Sequence, residues 1–319
     1  MFFRRSQTVA AALAGLALTL SACSGSDSEE LNEQGYPETL TLAAIPAENS
    51  TDLKASYEPV IALLERETGS EIDFVQASDY AGVVEGLIAG NVDLAFFGPF
   101  AYVVAGVNGA EMTPLGAVVQ DKGTPPGYRS YGLARADNDQ VDELGDFKGK
   151  KVCFVDPGST SGFLYPTAGL IENKVIESGA EADLSAGVQP IYAGGHDASA
   201  LAIAAGDCDA GFAFDTMVDK TLIEKGDLKP GQLETVWKSE TIAGSLFAAN
   251  NDLGTETVDI LRTLFTEKVN ADYMLGEGLC TGDCRITDER VWGVVPATDA
   301  DYNGVRHVCE VTGSEKCKG

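Results

Sequence analysis

Lys151-Val-Cys-Phe-Val-Asp-Pro-Gly-Ser-Thr-Ser-Gly162 decides how this chain is read. Lys151 to Val155 is a short, mostly apolar run of strand length. Asp156, Pro157 and Gly158 end it. Ser159, Thr160 and Ser161 follow, the residue types that cap a helix start. Amphipathic spacing then predicts a helix over Gly162 to Glu177. A strand, a glycine-bearing turn and a helix make the repeating unit of an α/β fold. Gly158 and Gly162 allow a ligand to approach the backbone closely. Three hydroxyls at a helix N-terminus suit an oxyanion, which the helix dipole favours. The turn has no lysine, so it is not a nucleotide-binding P-loop. The plain alternative is a capped helix start after a polar turn.

The same alternation runs outward in both directions. Upstream, strands are expected at Leu40–Ile45, Glu71–Val75, Val92–Phe97, Met112–Val119 and Ser130–Ala134. Helices are expected at Asp52–Thr68, Tyr80–Ala89 and Pro99–Val107. Ser50 or Thr51 would cap the first helix and Gly69 would stop it. Downstream, strands are expected at Val188–Tyr192, Asp209–Phe214 and Glu234–Trp237. Helices follow at Ala198–Ala205, from Thr216, and at Thr255–Asn270. Gly90-Asn-Val-Asp-Leu-Ala-Phe-Phe and Gly206-Asp-Cys-Asp-Ala-Gly-Phe-Ala-Phe match as helix stop, tight turn and buried strand. The pattern therefore reads as two α/β lobes joined by two crossings, a hinge with a ligand cleft between. The expected first lobe is 38–134, the second lobe 135–242, and 243–319 returns to the first. The cysteine-bearing stretch from Leu279 to Gly319 is expected to be irregular and to lie over the first lobe.

Composition narrows the function. With 49 acidic and 22 basic residues in 319, the net charge is −27. That argues against nucleic acid, which needs a basic face, and against binding to an anionic membrane surface. Two histidines leave little for histidine-rich chemistry. Residues 1–22 read as a signal peptide: Arg4 and Arg5 precede an apolar run from Val9 to Leu20, too short to span a bilayer. It ends in Leu20-Ser21-Ala22-Cys23, which resembles the lipobox of bacterial lipoproteins. Cys23 would then be the lipidated N-terminus of an extracytoplasmic protein, attached to the membrane through this anchor alone. Residues 23–37 would be a flexible tether. Without Arg4 and Arg5, 20 basic residues face 49 acidic ones, a net of −29.

The seven cysteines lose one to the anchor and leave an even six. An oxidising compartment favours disulfides. The expected pairs are Cys153–Cys208, Cys280–Cys284 and Cys309–Cys317, although six cysteines allow other connectivities. The competing reading is a zinc site from Cys280, Cys284, His307 and Cys309, but the CxxxC spacing is loose. No metal or cofactor is expected.

Asp156-Pro-Gly-Ser-Thr-Ser-Gly-Phe-Leu-Tyr-Pro166 resembles the signature of the phosphonate-binding proteins of ABC importers. Ala77-Ser-Asp-Tyr-Ala-Gly-Val-Val-Glu-Gly86 and Val92-Asp-Leu-Ala-Phe-Phe-Gly-Pro99 resemble first-lobe segments of that family. Pro126-Gly-Tyr-Arg-Ser130, Ala193-Gly-Gly-His-Asp-Ala-Ser-Ala-Leu-Ala202 and Val236-Trp-Lys-Ser239 follow in the expected order. The resemblance runs from about Leu40 to Asn270. It implies a type II periplasmic-binding-protein fold. It also implies a monomer that captures a small phosphorus oxyanion and delivers it to an ABC permease. Ser159, Thr160 and Ser161 would hold the anion, and His196 would donate to another oxygen. Tyr80 and Tyr128 would line the cleft, with Tyr102 and Tyr131 as weaker candidates.

Two positions depart from the family pattern. Where aminoalkylphosphonate binders carry a glutamate for the ligand amine, this chain has Asp215 and Thr216. Where they carry an acid after the second crossing, it has Ser245. Serine donates as well as accepts, so the expectation is a fully ionised or differently substituted anion. Two other readings stay open: an extracytoplasmic phosphoesterase, with a triad of Ser159, His196 and Asp215, or a ligand sensor for a membrane kinase.

Overall fold

The computed structural model describes residues 31–48 and 53–318. The signal peptide, Cys23, most of the tether and the caps Ser50 and Thr51 lie outside the described residues. In chain order the first lobe contains β1 (Thr39–Ala44), α1 (Leu53–Thr68), β2 (Glu71–Gln76), α2 (Tyr80–Ile88), β3 (Leu94–Phe97), α3 (Pro99–Val107) and β4 (Met112–Val119). The second lobe runs through β5 (Ser130–Arg135), β6 (Lys151–Phe154), α4 (Tyr165–Glu172), α5 (Glu181–Gly187) and β7 (Gln189–Tyr192). It continues with α6 (His196–Ala205), β8 (Ala210–Phe214), α7 (Leu222–Lys225) and β9 (Leu233–Lys238). The chain then returns through β10 (Leu246–Asn250), α8 (Thr255–Lys268), α9 (Ala271–Gly276), β11 (Gly293–Val295) and α10 (Asn303–Thr312).

Two sheets result, one ordered β11-β4-β10-β3-β1-β2 and the other β7-β6-β8-β5-β9. β1, β2 and β3 pair in parallel, as do β6, β7 and β8. Parallel strands are covered on both faces, so they become continuously apolar. Leu94–Phe97 and Ala210–Phe214 are buried at every residue. Phe96, Phe247 and Phe265 stack through the first lobe, with ring centroids 4.8 and 4.9 Å apart. Phe147, Phe212 and Phe154 do the same in the second, at 5.4 and 5.3 Å. The two crossings also pair with each other: Ile242 N donates to Tyr128 O at 2.8 Å and Tyr128 N to Ile242 O at 3.2 Å. This two-stranded ribbon is the hinge. It places the carboxyl ends of the parallel strands of both lobes against one cleft, where open α/β sheets bind ligands.

Three expectations need correction. The tether was expected to extend to Pro37, but Leu31 bridges Pro37 and Asn32 donates to Thr68 O at 3.0 Å. Tyr36 is buried in the first-lobe core, so one apolar anchor ties down an otherwise polar run. The segment from Leu279 is not irregular throughout, because it supplies β11 and α10. Nor does it lie over the first lobe alone. Tyr302 stacks on Tyr102 at 5.0 Å, while Thr312 O accepts from Gly179 N of the second lobe at 2.7 Å. α10 thus forms a third link across the lobes. β10 had no expected strand, because Leu-Phe-Ala-Ala-Asn suits a helix or a strand equally and only its two antiparallel neighbours decide.

Disulfides join Cys153–Cys208, Cys280–Cys284 and Cys309–Cys317. The first ties β6 to the turn before β8, and the last ties α10 to the chain just beyond it. Among the described residues, no group of histidine, cysteine and acidic side chains has the arrangement to hold a metal ion. No described helix is long and apolar enough to cross a membrane.

Candidate functional site

The turn after β6 is the centre of the site. Ser159 caps the helix start, its Oγ accepting from Gly162 N at 3.0 Å. That bond uses an oxygen lone pair and leaves the hydroxyl proton free to donate. The helix opens with a wide π-type turn over Thr160–Leu164 before α4, a distortion that recurs at functional sites. Ser159, Thr160 and Ser161 are all buried.

His196 opens α6 and is 3% exposed. Its Nδ1 accepts from Phe214 N at 3.2 Å. An accepting Nδ1 puts the proton on Nε2, which stands 3.3 Å from Ser159 Oγ. Burial lowers the ring pKa to about 3. The imidazole is therefore a neutral donor aimed at the Ser159 turn.

The first lobe adds two phenols. Tyr80 lies against Ser159, and Tyr128 against Thr160 and Ser161. Burial, chiefly, pushes both hydroxyls well above the usual tyrosine range, with Asp156 adding to Tyr80 and Glu289 to Tyr128. They stay protonated and act as donors. The cluster therefore combines serine and threonine hydroxyls, one imidazole N–H and two phenols. Neutral donors of this kind hold an anion by short hydrogen bonds.

The lobes are closed on this cluster. Thr160 Oγ1 accepts from Phe100 N at 2.8 Å, and His196 N donates to Ala47 O at 2.9 Å. Outside it, three ion pairs cross the cleft: Lys225–Glu48 at 2.5 Å, Arg290–Glu224 at 3.6 Å and Lys220–Asp121 at 3.8 Å. Only Glu48 is buried, and burial raises its pKa against the opposing effect of Lys225. Half-exposed pairs contribute little each, about 0.5–1 kcal/mol. Glu48→Gln is expected to favour the open form and weaken ligand binding by about two- to five-fold, measured by titration calorimetry. An unchanged Kd would remove the latch role.

The remaining candidates fall elsewhere. Tyr102 is not in the cleft: its hydroxyl donates to Asp299 at 2.8 Å under the C-terminal segment. Tyr131 is on the far face of its sheet, donating to Asp219 at 3.0 Å with Lys238 over its ring. Successive residues of a strand face opposite ways, and it is Ser130 that faces the site, donating to Ser161 O at 2.6 Å. Asp215 is at the cleft but accepts from the backbone, Arg129 N at 3.1 Å and Thr216 N at 2.9 Å. Among the described residues, Thr216 Oγ1 has no hydrogen-bond partner, although it is buried. Ser245 donates to Glu289 Oε1 at 2.6 Å.

Sequence reasoning missed Asp288 and Glu289. They sit on a tight loop between Ile286 and Val291, which bridge each other. Burial raises the pKa of Asp288 to about 7 and of Glu289 to about 8. Two acids in a cysteine-bearing segment carry no local signal of this placement.

The family profile for the periplasmic substrate-binding protein of phosphonate ABC transporters matches residues 42–302. The chain is 72% identical over 321 residues to the phosphate-import protein PhnD of Mycolicibacterium smegmatis, covering all of both chains. A phosphonate ABC transporter binding protein from Pseudomonas aeruginosa superposes with a TM-score of 0.70 at 26% identity, over 85% of each chain. PhnD1 of Prochlorococcus marinus, solved with methylphosphonate, superposes at 0.69 with 19% identity, over 86% of this chain and 97% of that one. At that identity the likeness speaks for the fold alone.

Proposed function

We propose, from the premise that this chain belongs to the phosphonate-binding family of periplasmic ABC-transporter substrate-binding proteins, that its ligand is inorganic phosphate. Members of this family bind and deliver solute and are not enzymes. The carrying observation is Asp215. Both of its carboxylate oxygens accept backbone N–H groups, and Thr216 beside it is a hydroxyl. A ligand amine would meet a hydroxyl at Thr216, where aminoalkylphosphonate binders carry an acid, and an Asp215 carboxylate already shared with two backbone N–H groups, whereas a bare tetrahedral anion needs only donors. Ser159, Thr160, Ser161, His196, Tyr80 and Tyr128 would supply them. The relative at 72% identity is a phosphate-import protein, which supports the same reading. Closure about the paired crossings of 126–130 and 239–245 would bury the anion, and a membrane permease would open the closed form.

Titration calorimetry of the mature protein with phosphate, phosphite, methylphosphonate and aminoethylphosphonate tests this reading. Phosphate is expected to bind most tightly. A tighter aminoethylphosphonate would overturn it.

The mature protein would be a monomer, held at the outer face of the membrane by lipid on Cys23 after removal of residues 1–22. The hydrophobic stretch and Leu20-Ser21-Ala22-Cys23 support this. Cys23→Ala is expected to move the protein from the membrane fraction to the soluble one on cell fractionation. Retention in the membrane would exclude the anchor.

A further inference from the structure

Two helix starts at the cleft have no side-chain cap of their own. α3 begins after Gly98 and α6 after Gly195, and neither glycine can accept a backbone N–H through a side chain. Other helix starts have such a cap: Asp79 accepts from Gly82 N at α2, and Asn270 from Tyr273 N at α9. Glycine caps less well than serine or aspartate. The backbone does not call for it at Gly98, where φ is −70° and ψ 150°, values open to any residue. Gly254 before α8 differs, because its φ of 83° does favour glycine.

The missing acceptors come from the opposite lobe. Pro99 has no N–H, so the first N–H of α3 belongs to Phe100. It donates to Thr160 Oγ1 of the second lobe at 2.8 Å. A cap residue's own oxygen normally serves this N–H or the next. At Gly98 the space is taken from across the cleft: a Cβ there would stand 3.3 Å from Thr160 Oγ1 and 3.4 Å from Ile45 Cδ1. In the other direction, the first N–H of α6, on His196, donates to Ala47 O of the first lobe at 2.9 Å. Each lobe therefore completes a helix start of the other. Phe100, Thr160 and His196 are all buried.

We propose that Gly98 is a positioning residue for ligand retention: it leaves α3 uncapped until the lobes close, so that closure itself completes the helix and seats Thr160 in the site. This rests on the reading of a cleft that closes on a small anion, whichever phosphorus oxyanion that is. When the lobes part, the Phe100 N–H has only water to bond, since the first N–H groups of a helix have no partner within it. Closure expels that water, and a buried N–H without an acceptor is costly. Thr160 removes the cost and keeps its hydroxyl proton for the ligand. A self-capping residue at Gly98 would satisfy the open form equally well and crowd Thr160 in the closed one.

Gly98→Ser tests this in the intact mature protein. Its ligand-free form is expected to melt at or above wild type, while its Kd for inorganic phosphate rises about three- to tenfold, the effect of about one neutral hydrogen bond. A Kd within twofold of wild type would overturn the proposal, and so would a ligand-free melting point well below it. In a Thr160→Val background, Gly98→Ser is expected to weaken binding no further, because its target is gone. Full additivity would show that the introduced hydroxyl strikes the ligand directly, and would also overturn it. Wild type alone supplies a second measurement, amide exchange by NMR. Saturating phosphate is expected to slow exchange at Phe100 and His196 by about tenfold or more. Tyr102 and Ser199 donate within their own helices, to Gly98 O at 3.1 Å and Gly195 O at 3.0 Å, and are expected to be protected in both states. Equal protection of Phe100 with and without phosphate would overturn the proposal whatever the variants do. If wild type binds methylphosphonate but not phosphate, the phosphate reading fails by itself, and the same measurements with methylphosphonate decide the capping.

Discussion

His196→Ala is expected to raise the Kd for phosphate by about a hundred-fold. The ring has two jobs in the closed cleft. Nε2–H is a donor aimed at the Ser159 turn, and Nδ1 accepts from Phe214 N at 3.2 Å. Alanine removes the donor to a desolvated anion and leaves a buried backbone N–H without its acceptor. Losing a buried hydrogen bond to a charged group costs about 1.5–3 kcal/mol, and each 1.4 kcal/mol is about tenfold in Kd. Calorimetry with phosphate checks the change, and a thermal melt without ligand separates it from unfolding. A Kd within twofold of wild type would remove His196 from the site. The ring should also bring no pH step of its own near neutrality, because burial keeps it neutral down to about pH 3. A binding step near pH 6.5 that vanished in His196→Gln would contradict the neutral-donor role.

Gly162→Ala is expected to damage stability and binding together. A Cβ there would lie 2.4 Å from Val155 Cβ and 2.8 Å from Ser159 Oγ. Neither neighbour can move freely. Val155 follows β6 directly, and Ser159 Oγ is the cap bonded to Gly162 N. Overpacking of this kind costs about 1–3 kcal/mol, a fall in Tm of roughly 5 °C for a chain of this size. The displaced cap would also misplace the hydroxyls proposed to hold the anion. Differential scanning fluorimetry with and without phosphate measures both effects. Ligand bound only by the folded form raises Tm by mass action, and the variant should lose most of that rise. A wild-type Tm with a wild-type phosphate shift would show that the turn tolerates a side chain.

The overall charge also finds its place. A net charge of −27 suggests a cationic ligand, whereas the neutral donors gathered at the cleft suit an anion. Donors at hydrogen-bond distance act inside the closed cleft, while surface carboxylates are screened beyond about 8–10 Å. Acidity of the whole chain therefore says little about the ligand.

Much of this protein was legible in local sequence. The strand–turn–helix unit at Lys151–Gly162, the helix at Pro99–Val107 and the strand at Met112–Val119 follow from periodicity and turn residues, because those signals act over a few neighbours. Ser159 was legible as a helix cap, since capping chemistry is local, whereas the place of His196 came only from the family resemblance. Tyr102 and Tyr131 were misread because a tyrosine on a buried element does not reveal which face it takes. The side of the sheet is set by packing, and it sent one to Asp299 and the other to Asp219. β10 needed β3 and β4 on either side to become a strand. The clearest gap is at Ser245, where sequence alone reads a missing acid. Glu289, 44 residues further on, brings a carboxylate to the Ser245 hydroxyl. The sequence by itself determined the two-lobed α/β design and the capped turn at Ser159, because periodicity and capping are short-range. Only the tertiary structure decided that a carboxylate stands against Ser245 and how α10 binds the lobes together. Those depend on contacts between segments far apart in the chain, which only the closed packing of the two lobes creates.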